Sequence, residues 1–253
     1  MNYTYDETFQ GLLSVVYERF KRKEFRGVIG RRDVGTLFQG EYIETDLERS
    51  ERVFNKLEAT AGRGVVRKLF MAFLSEKTGI EDDIFSYIYS LIKRGGSIEG
   101  IYLKSVEVID KAAMRASHEA HKFKGFVRFR RIKDDTYYAI INPDCNVLPL
   151  IGDHFAGRFS DQDFVIHDVR RGMALIYSSQ NKSSEISKLT GVSEELLTYK
   201  EGSELLHGEE EGYMDLWRTF FDAVSIEGRE NPRCQRNFMP KKYWRDLVEV
   251  NKR

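Results

Sequence analysis

Cysteine is scarce in this chain. There are two, Cys145 and Cys234, in 253 residues, and they form no C-x-x-C arrangement. That fits a reducing compartment and argues against a zinc ribbon or an iron–sulfur cluster held by this chain alone. Net charge is lacking as well: 40 basic and 40 acidic side chains cancel, which argues against a histone-like binder held by bulk charge. No apolar run approaches the length of a bilayer span, and the opening MNYTYDETFQ has no basic region followed by an apolar core. The expectation is a cytoplasmic protein without membrane association. Signatures of phosphate loops and hydrolases are missing too. Gly62-Arg63-Gly64 and Gly95-Gly96 have neither the Lys-Ser/Thr of a P-loop nor the spacing of a dinucleotide fingerprint, and read as helix breaks. Ser178, Ser179, Ser183 and Ser184 stand outside any G-x-S-x-G context.

What is present is an ordinary globular composition, 41% hydrophobic and 32% charged, long enough for one large domain or two small ones. The charge is unevenly placed. From Lys111 to Lys133 there are eight bases and one acid, Glu119. From Glu194 to Asp215 there are eight acids and one base, Lys200. From Arg229 to the end bases dominate again. A polarised surface is expected.

Periodicity gives the class. A short strand at Met1–Tyr5 precedes a helix carrying Phe9, Leu12, Leu13, Val16 and Phe20, capped by Asp6 or Thr8. Val28-Ile29 is a possible strand. A helix from Thr45-Asp46 has the stripe Leu47, Phe54, Leu57 and Ala61. Two more follow, with Val66, Leu69, Phe70 and Phe73, and with Ile84, Ile88, Leu91 and Ile92. A longer helix runs from Ile98 through Tyr102, Val106, Ile109, Ala113, Ala116 and Ala120. After Gly125 the period changes. Phe126–Ile132 and Tyr137–Ile141 read as strands, Leu148–Phe159 as a helix, then Phe164–His167 and Met173–Tyr177 as strands. Gln180–Thr190 reads as a polar loop. Tyr213–Ile226 reads as a helix burying Leu216, Trp217, Phe220 and Phe221, and Pro240 starts a last one over Lys241–Val250. The fold expected is α+β: an N-terminal helical bundle packed on a small, mostly antiparallel sheet in the order strand-strand-helix-strand-strand, with C-terminal helices. The chain is taken as one family domain, 1–253, with a helical half (1–124), a sheet region (125–180) and an acidic linker with C-terminal helices (181–253).

Candidate sites follow from residue type. Lys122, Lys124, Arg128 and Arg130 alternate with Phe123, Phe126 and Phe129, the mix of charge and flat rings that suits phosphates and bases. Arg128 and Arg130 would share one strand face, or Arg128 would instead be structural, paired with Asp163 or Glu119. Arg158, and Arg236, Lys241 and Lys242 in the tail, extend the basic set, while Phe238, Tyr243 and Trp244 read as a clamp on the bundle. His118, His121, Asp153, His154 and His167 are the weak catalytic candidates. His118 and His121 stand at i, i+3, not in H-E-x-x-H, and a metal would need a third ligand such as His154 or Asp153. No metal and no cofactor is expected.

Four segments carry a resemblance: Tyr5-Asp6-Glu7-Thr8-Phe9-Gln10-Gly11-Leu12-Leu13; His121-Lys-Phe-Lys-Gly-Phe-Val-Arg-Phe-Arg130; Asp153-His-Phe-Ala-Gly-Arg-Phe159; and Asn231-Pro-Arg through Lys241-Lys-Tyr-Trp244. In this order, over nearly the whole chain, they resemble a bacterial family described as DNA metabolism or DNA repair proteins containing a domain of unknown function. Phe123 stands where many members carry Met. The resemblance implies DNA as a partner, together with a radical-SAM DNA repair or modification protein; related domains are fused to uracil-DNA-glycosylase-like domains. It supplies no catalytic residue. Three readings follow. The first is a DNA-binding accessory protein that presents DNA to a radical-SAM partner. The second is a nucleic-acid or nucleotide hydrolase using the His/Asp set. The third is a protein-interaction module, without DNA contact, acting through its acidic block.

Overall fold

The computed structural model describes residues 1–31, 40–96, 104–192, 205–224 and 231–250. Two compact units, Met1–Ser117 and His118–Arg253, divide it. Eight α-helices and two small sheets among the described residues make the fold α+β.

In the first unit, β1 (Tyr3–Tyr5) lies between two parallel partners, β2 (Ile29–Arg31) and β3 (Glu41–Tyr42). Strands this short hold few hydrogen bonds, and buried side chains anchor them. Tyr3 and Tyr5 are fully buried, and the Tyr5 hydroxyl donates to Glu81 at 3.2 Å. Helix α1 (Phe9–Arg22) starts at Thr8, whose Oγ1 accepts from the Gly11 amide at 2.9 Å. Asp6 in turn accepts from the Thr8 amide and hydroxyl and from Thr45. A Cβ on Gly11 would lie 2.2 Å from Asp6 Oδ1, so the cap leaves no room for a side chain there. The opening segment of the resemblance is thus a structural cap.

Asp46 caps α2 (Leu47–Ala61); Gly62, at φ +81°, ends it and opens α3 (Arg63–Leu74) without a loop. Helix α4 (Ile80–Lys93) follows and ends at Gly95 and Gly96, both at positive φ. The α2 stripe differs from expectation. Leu57 is fully buried and Val53 joins it, whereas Leu47 and Phe54 are exposed and line an open cleft of about 900 Å³ with Phe9, Leu13 and Phe70.

Helix α5 (Lys104–Phe126) begins in the first unit, and its last turns open the second. Ile98 and Tyr102, assigned to this helix by sequence, lie outside the described residues. The helix also runs on past the expected strand start. Phe126 is helical, the Val127 amide still donates to the Phe123 carbonyl at 3.1 Å, and the strand, β4, covers only Arg130–Arg131. Gly125 did not break the helix, because a glycine in a helix interior costs only about 1 kcal/mol against alanine. Arg128 and Arg130 therefore do not share a strand face.

The second sheet has the order β4-β5-β6-β7-β8, with β5 (Tyr137–Ile141), β6 (Phe164–Asp168), β7 (Met173–Ser178) and β8 (Ser183–Lys188). Only β5 and β6 pair in parallel, joined through α6 (Leu148–Arg158); the other three pairings are antiparallel. Five strands replace the four expected. Strand β8 falls in the stretch read as a polar loop: it is an edge strand with mostly exposed side chains, held by its ladder to β7 rather than by an apolar face. Phe129, Phe155, Phe159 and Phe164 form an aromatic cluster between α6 and the sheet, with ring centroids 5.3–5.5 Å from Phe129.

Helix α7 (Glu210–Val224) buries Met214, but Leu216, Trp217 and Phe220 are exposed, contrary to the expected burial. Its period identified an amphipathic helix but could not say whether its apolar face is covered. Helix α8 (Pro232–Phe238) is capped by Asn231, and a shorter 3-10 helix, Lys241–Asp246, replaces the longer final helix expected. Residues 194–204 of the acidic block are outside the described part. No helix among the described residues is long and apolar enough to cross a membrane.

Candidate functional site

Glu119 is the one acid in the basic stretch, and it lies on the buried face of α5 with Ala116, Ala120 and Phe123. Its carboxylate accepts from the Tyr243 hydroxyl at 2.6 Å and from the amides of Asp144 and Cys145 at 3.0 and 2.7 Å. Burial pushes the Glu119 carboxyl up, but these donors outweigh it and hold it below its ordinary value. Lys242 bridges Asp144 and Glu119. Burial pulls its ammonium down, while Asp144, Tyr243 and Glu119 win and raise it. Tyr243 packs edge-on against Phe123, with centroids 5.1 Å apart. The tail thus folds back on the end of α5. Of the expected aromatic clamp, Tyr243 is buried and the Trp244 indole donates to the Met239 carbonyl at 2.8 Å; Phe238 is exposed.

Arg128 is tied down in the same way. Its guanidinium donates to both oxygens of buried Glu249, at 2.6 and 3.3 Å, and to the Gly125 carbonyl at 2.7 Å. It lies 5.6 Å from the Trp217 ring, whose Nε1 also donates to Glu249 at 3.1 Å. Burial raises the Glu249 carboxyl, and Arg128 with Trp217 more than reverses this. Arg128 is paired with an acid, and that acid is Glu249 rather than the expected Asp163 or Glu119.

The remaining basic candidates are placed differently. Lys124 at the end of α5 and Arg158 at the end of α6 are both exposed, and neither has an acidic partner among the described residues. Both are close enough to His154 to act on it: burial, then Lys124, then Arg158 lower its pKa. Lys122, Arg236 and Lys241 likewise have no acidic partner among the described residues; Lys241 stands 5.7 Å from the Trp244 ring. Arg130 and Arg128 line a cleft of about 400 Å³ whose other wall is Glu210, Tyr213 and Trp217.

The structure does not bring the catalytic candidates together. His118 and His121 are exposed on α5, Asp153 is exposed on α6, and His167 is buried in β6. His167 Nδ1 lies 2.6 Å from the Tyr138 hydroxyl; burial lowers the His167 pKa and raises that of Tyr138 to about 12. Neighbouring Asp168 is pushed up by burial despite its 2.6 Å bridge to Arg171. Among the described residues no group of histidines, cysteines and carboxylates could hold a metal.

Sequence reasoning missed Glu210, Tyr213 and Glu249 as site residues. The available signal for Glu119 was its spacing: three residues after Ala116 and four before Phe123, a lone acid on a buried stripe. Nothing comparable marks Glu249, whose partner is 121 residues away.

No curated protein and no solved structure gives a significant match to this chain. One family does match, over residues 78–249, a range that contains the basic stretch, the Glu119 and Arg128 networks and the folded-back tail. The chain belongs to the family defined by the domain of unknown function DUF4130.

Proposed function

We propose that the protein binds DNA through its second unit and serves as an accessory to a catalytic partner. The observation that supports this reading is the grouping of Lys124, His154 and Arg158 at the ends of α5 and α6. These residues come from two separate segments of the sequence. Burial first, then Lys124 and Arg158, lower the His154 pKa, and neither cation is neutralised by an acid among the described residues. Half-buried Lys122 and exposed Arg236 and Lys241 add positive charge on the same unit. Uncommitted cations beside a histidine suit phosphate oxygens. A radical-SAM DNA repair or modification protein as that partner rests on the resemblance of the four segments, and the role proposed is to hold DNA for its chemistry.

The test is a gel-shift series with single-stranded and duplex DNA at several salt concentrations, on wild type, Lys124→Ala and Arg158→Ala. Both variants should melt like wild type and bind more weakly. Each lost phosphate contact should flatten the plot of log affinity against log salt by roughly 0.7 to 0.9. Wild-type slopes in two stably folded variants would reject the reading.

A further inference from the structure

The cleft between the Gly125–Arg130 segment and α7 contains a feature that DNA backbone binding does not use. Glu210 is the first residue of α7 and is 8% exposed. Its Oε2 accepts from the Arg131 amide at 3.1 Å, and it has no other hydrogen-bond donor among the described residues. A carboxylate offers about four acceptor positions. Glu210 is held in place by one backbone bond and by the favourable field at the start of the helix, and it keeps acceptor capacity on a cleft wall. Its second oxygen is not sealed from solvent, so a donor entering the cleft can reach it.

The neighbouring walls point to the class of donor. Tyr213 stands one turn further along α7, is 61% exposed and has no ring partner among the described residues. Trp217 follows one turn later, but its ring already faces the Arg128 guanidinium at 5.6 Å and Phe220 at 5.7 Å. Tyr213 is therefore the open aromatic platform. A cleft of about 400 Å³ lies within the range of small-ligand sites. A flat ring that stacks on Tyr213 and turns N–H groups toward Glu210 would satisfy both features.

Nucleobases differ in what they can offer a carboxylate. Adenine and cytosine present one amino group beside a ring acceptor, and thymine presents a single N–H between two carbonyls. Each leaves an acceptor facing the anion. Guanine alone presents two parallel donors, N1–H and the N2 amino group, which match the two-pronged geometry of a carboxylate. Such charge-assisted pairs are about twice as strong as neutral ones. We propose that this cleft is a base-binding pocket selective for guanine, with the base stacked on Tyr213 and its N1–H and N2–H donated to Glu210. The proposal deepens the nucleic-acid reading, and rests on it for its biological setting.

The experiment titrates the free nucleoside monophosphates GMP, AMP, CMP and UMP into the full chain, read by tryptophan fluorescence, since Trp217 lines the cleft. Wild type should bind GMP at least tenfold more tightly than the other three. Tyr213→Ala, at an exposed position, should weaken all four without a change in melting temperature. Glu210→Gln keeps an acceptor for the Arg131 amide but sets an amino group against the guanine donors, so it should abolish the GMP preference. Equal affinities for the four nucleotides, no binding of any, or an undiminished preference in Glu210→Gln would each overturn the proposal. If Glu210→Gln fails to fold, the wild-type panel and Tyr213→Ala still decide. A parallel series with oligo-dT, with and without one guanine, separates the two readings. Oligo-dT binding without guanine preference would sink the pocket alone. GMP selectivity without DNA binding would sink the DNA reading and leave a guanine-nucleotide site.

Discussion

An apolar cleft in the first unit and a mixed one in the second are built from different materials. The cleft of the first unit is the larger, about 900 Å³, and Phe9, Leu13, Leu47, Phe54 and Phe70 dominate its walls. The cleft of the second unit is about 400 Å³ and combines arginines, aromatic rings and a buried carboxylate. The first is what remains when an amphipathic stripe is wider than the core it packs on: Leu57 is buried, Leu47 and Phe54 spill outside. Apolar walls attract ligands without choosing among them. The second has a fixed acceptor and an open ring, which discriminate by hydrogen-bond pattern. Of these two clefts, that of the second unit is therefore the better equipped to be chemically selective, despite its smaller volume.

The comparison can be sharpened first within α2. Leu57→Ala should cost about 4 kcal/mol, as expected for a fully buried leucine, whereas Leu47→Ala, 69% exposed, should stay within about 0.5 kcal/mol. Urea unfolding of the two variants checks this. Similar losses would mean that the cleft wall is part of the core.

The second unit offers a matching contrast between basic residues that look alike in sequence. Arg128→Ala should lose about 3 kcal/mol, because it leaves Glu249, 3% exposed, without its cation. Its melting temperature should fall, with the salt slope of DNA binding unchanged. Lys124→Ala should do the reverse. If Arg128→Ala were stable and flattened the salt slope, the division into committed and available cations would be broken.

The smallest expected effect concerns pH. Burial, Lys124 and Arg158 hold His154 below its ordinary 6.5, so it is neutral at pH 7 in the free protein. A phosphate at this point would favour the imidazolium and raise the pKa. Binding would then take up a proton, and affinity should rise as the pH falls from the pKa of the bound state toward the lower one of the free protein. His154→Ala should remove that pH dependence while retaining most of the affinity at pH 8. An NMR titration of His154 with and without oligo-dT measures the shift directly.

Much of the second unit was legible because its elements announce themselves locally. Alternation marked β5 to β7, and helical spacing marked α6 and α7. The α5 boundary was misplaced because Gly125 looked like a terminator and the helix carried through it. Strand β8 was missed because an edge strand need not be apolar. Among site residues, the same reasoning selected Lys124 and Arg158, which have no acidic partner among the described residues, and Arg128 and Lys242, which the structure ties to Glu249, Asp144 and Glu119.

Local pattern by itself determined the α+β class, the order of most elements, the first cap to within Asp6 or Thr8, the start of α2 at Thr45-Asp46, and the concentration of positive charge near residue 120 and in the tail. Those features depend on neighbours within a few residues, where periodicity and side-chain chemistry act directly. Tertiary structure alone decided which cations are neutralised, which face of α7 is left open, and that Glu210, Tyr213 and Trp217 meet Arg128 across one cleft. The reason is distance along the chain. Arg128 and Glu249 are 121 residues apart, and no local spacing records which acid a folded chain will bring to which base.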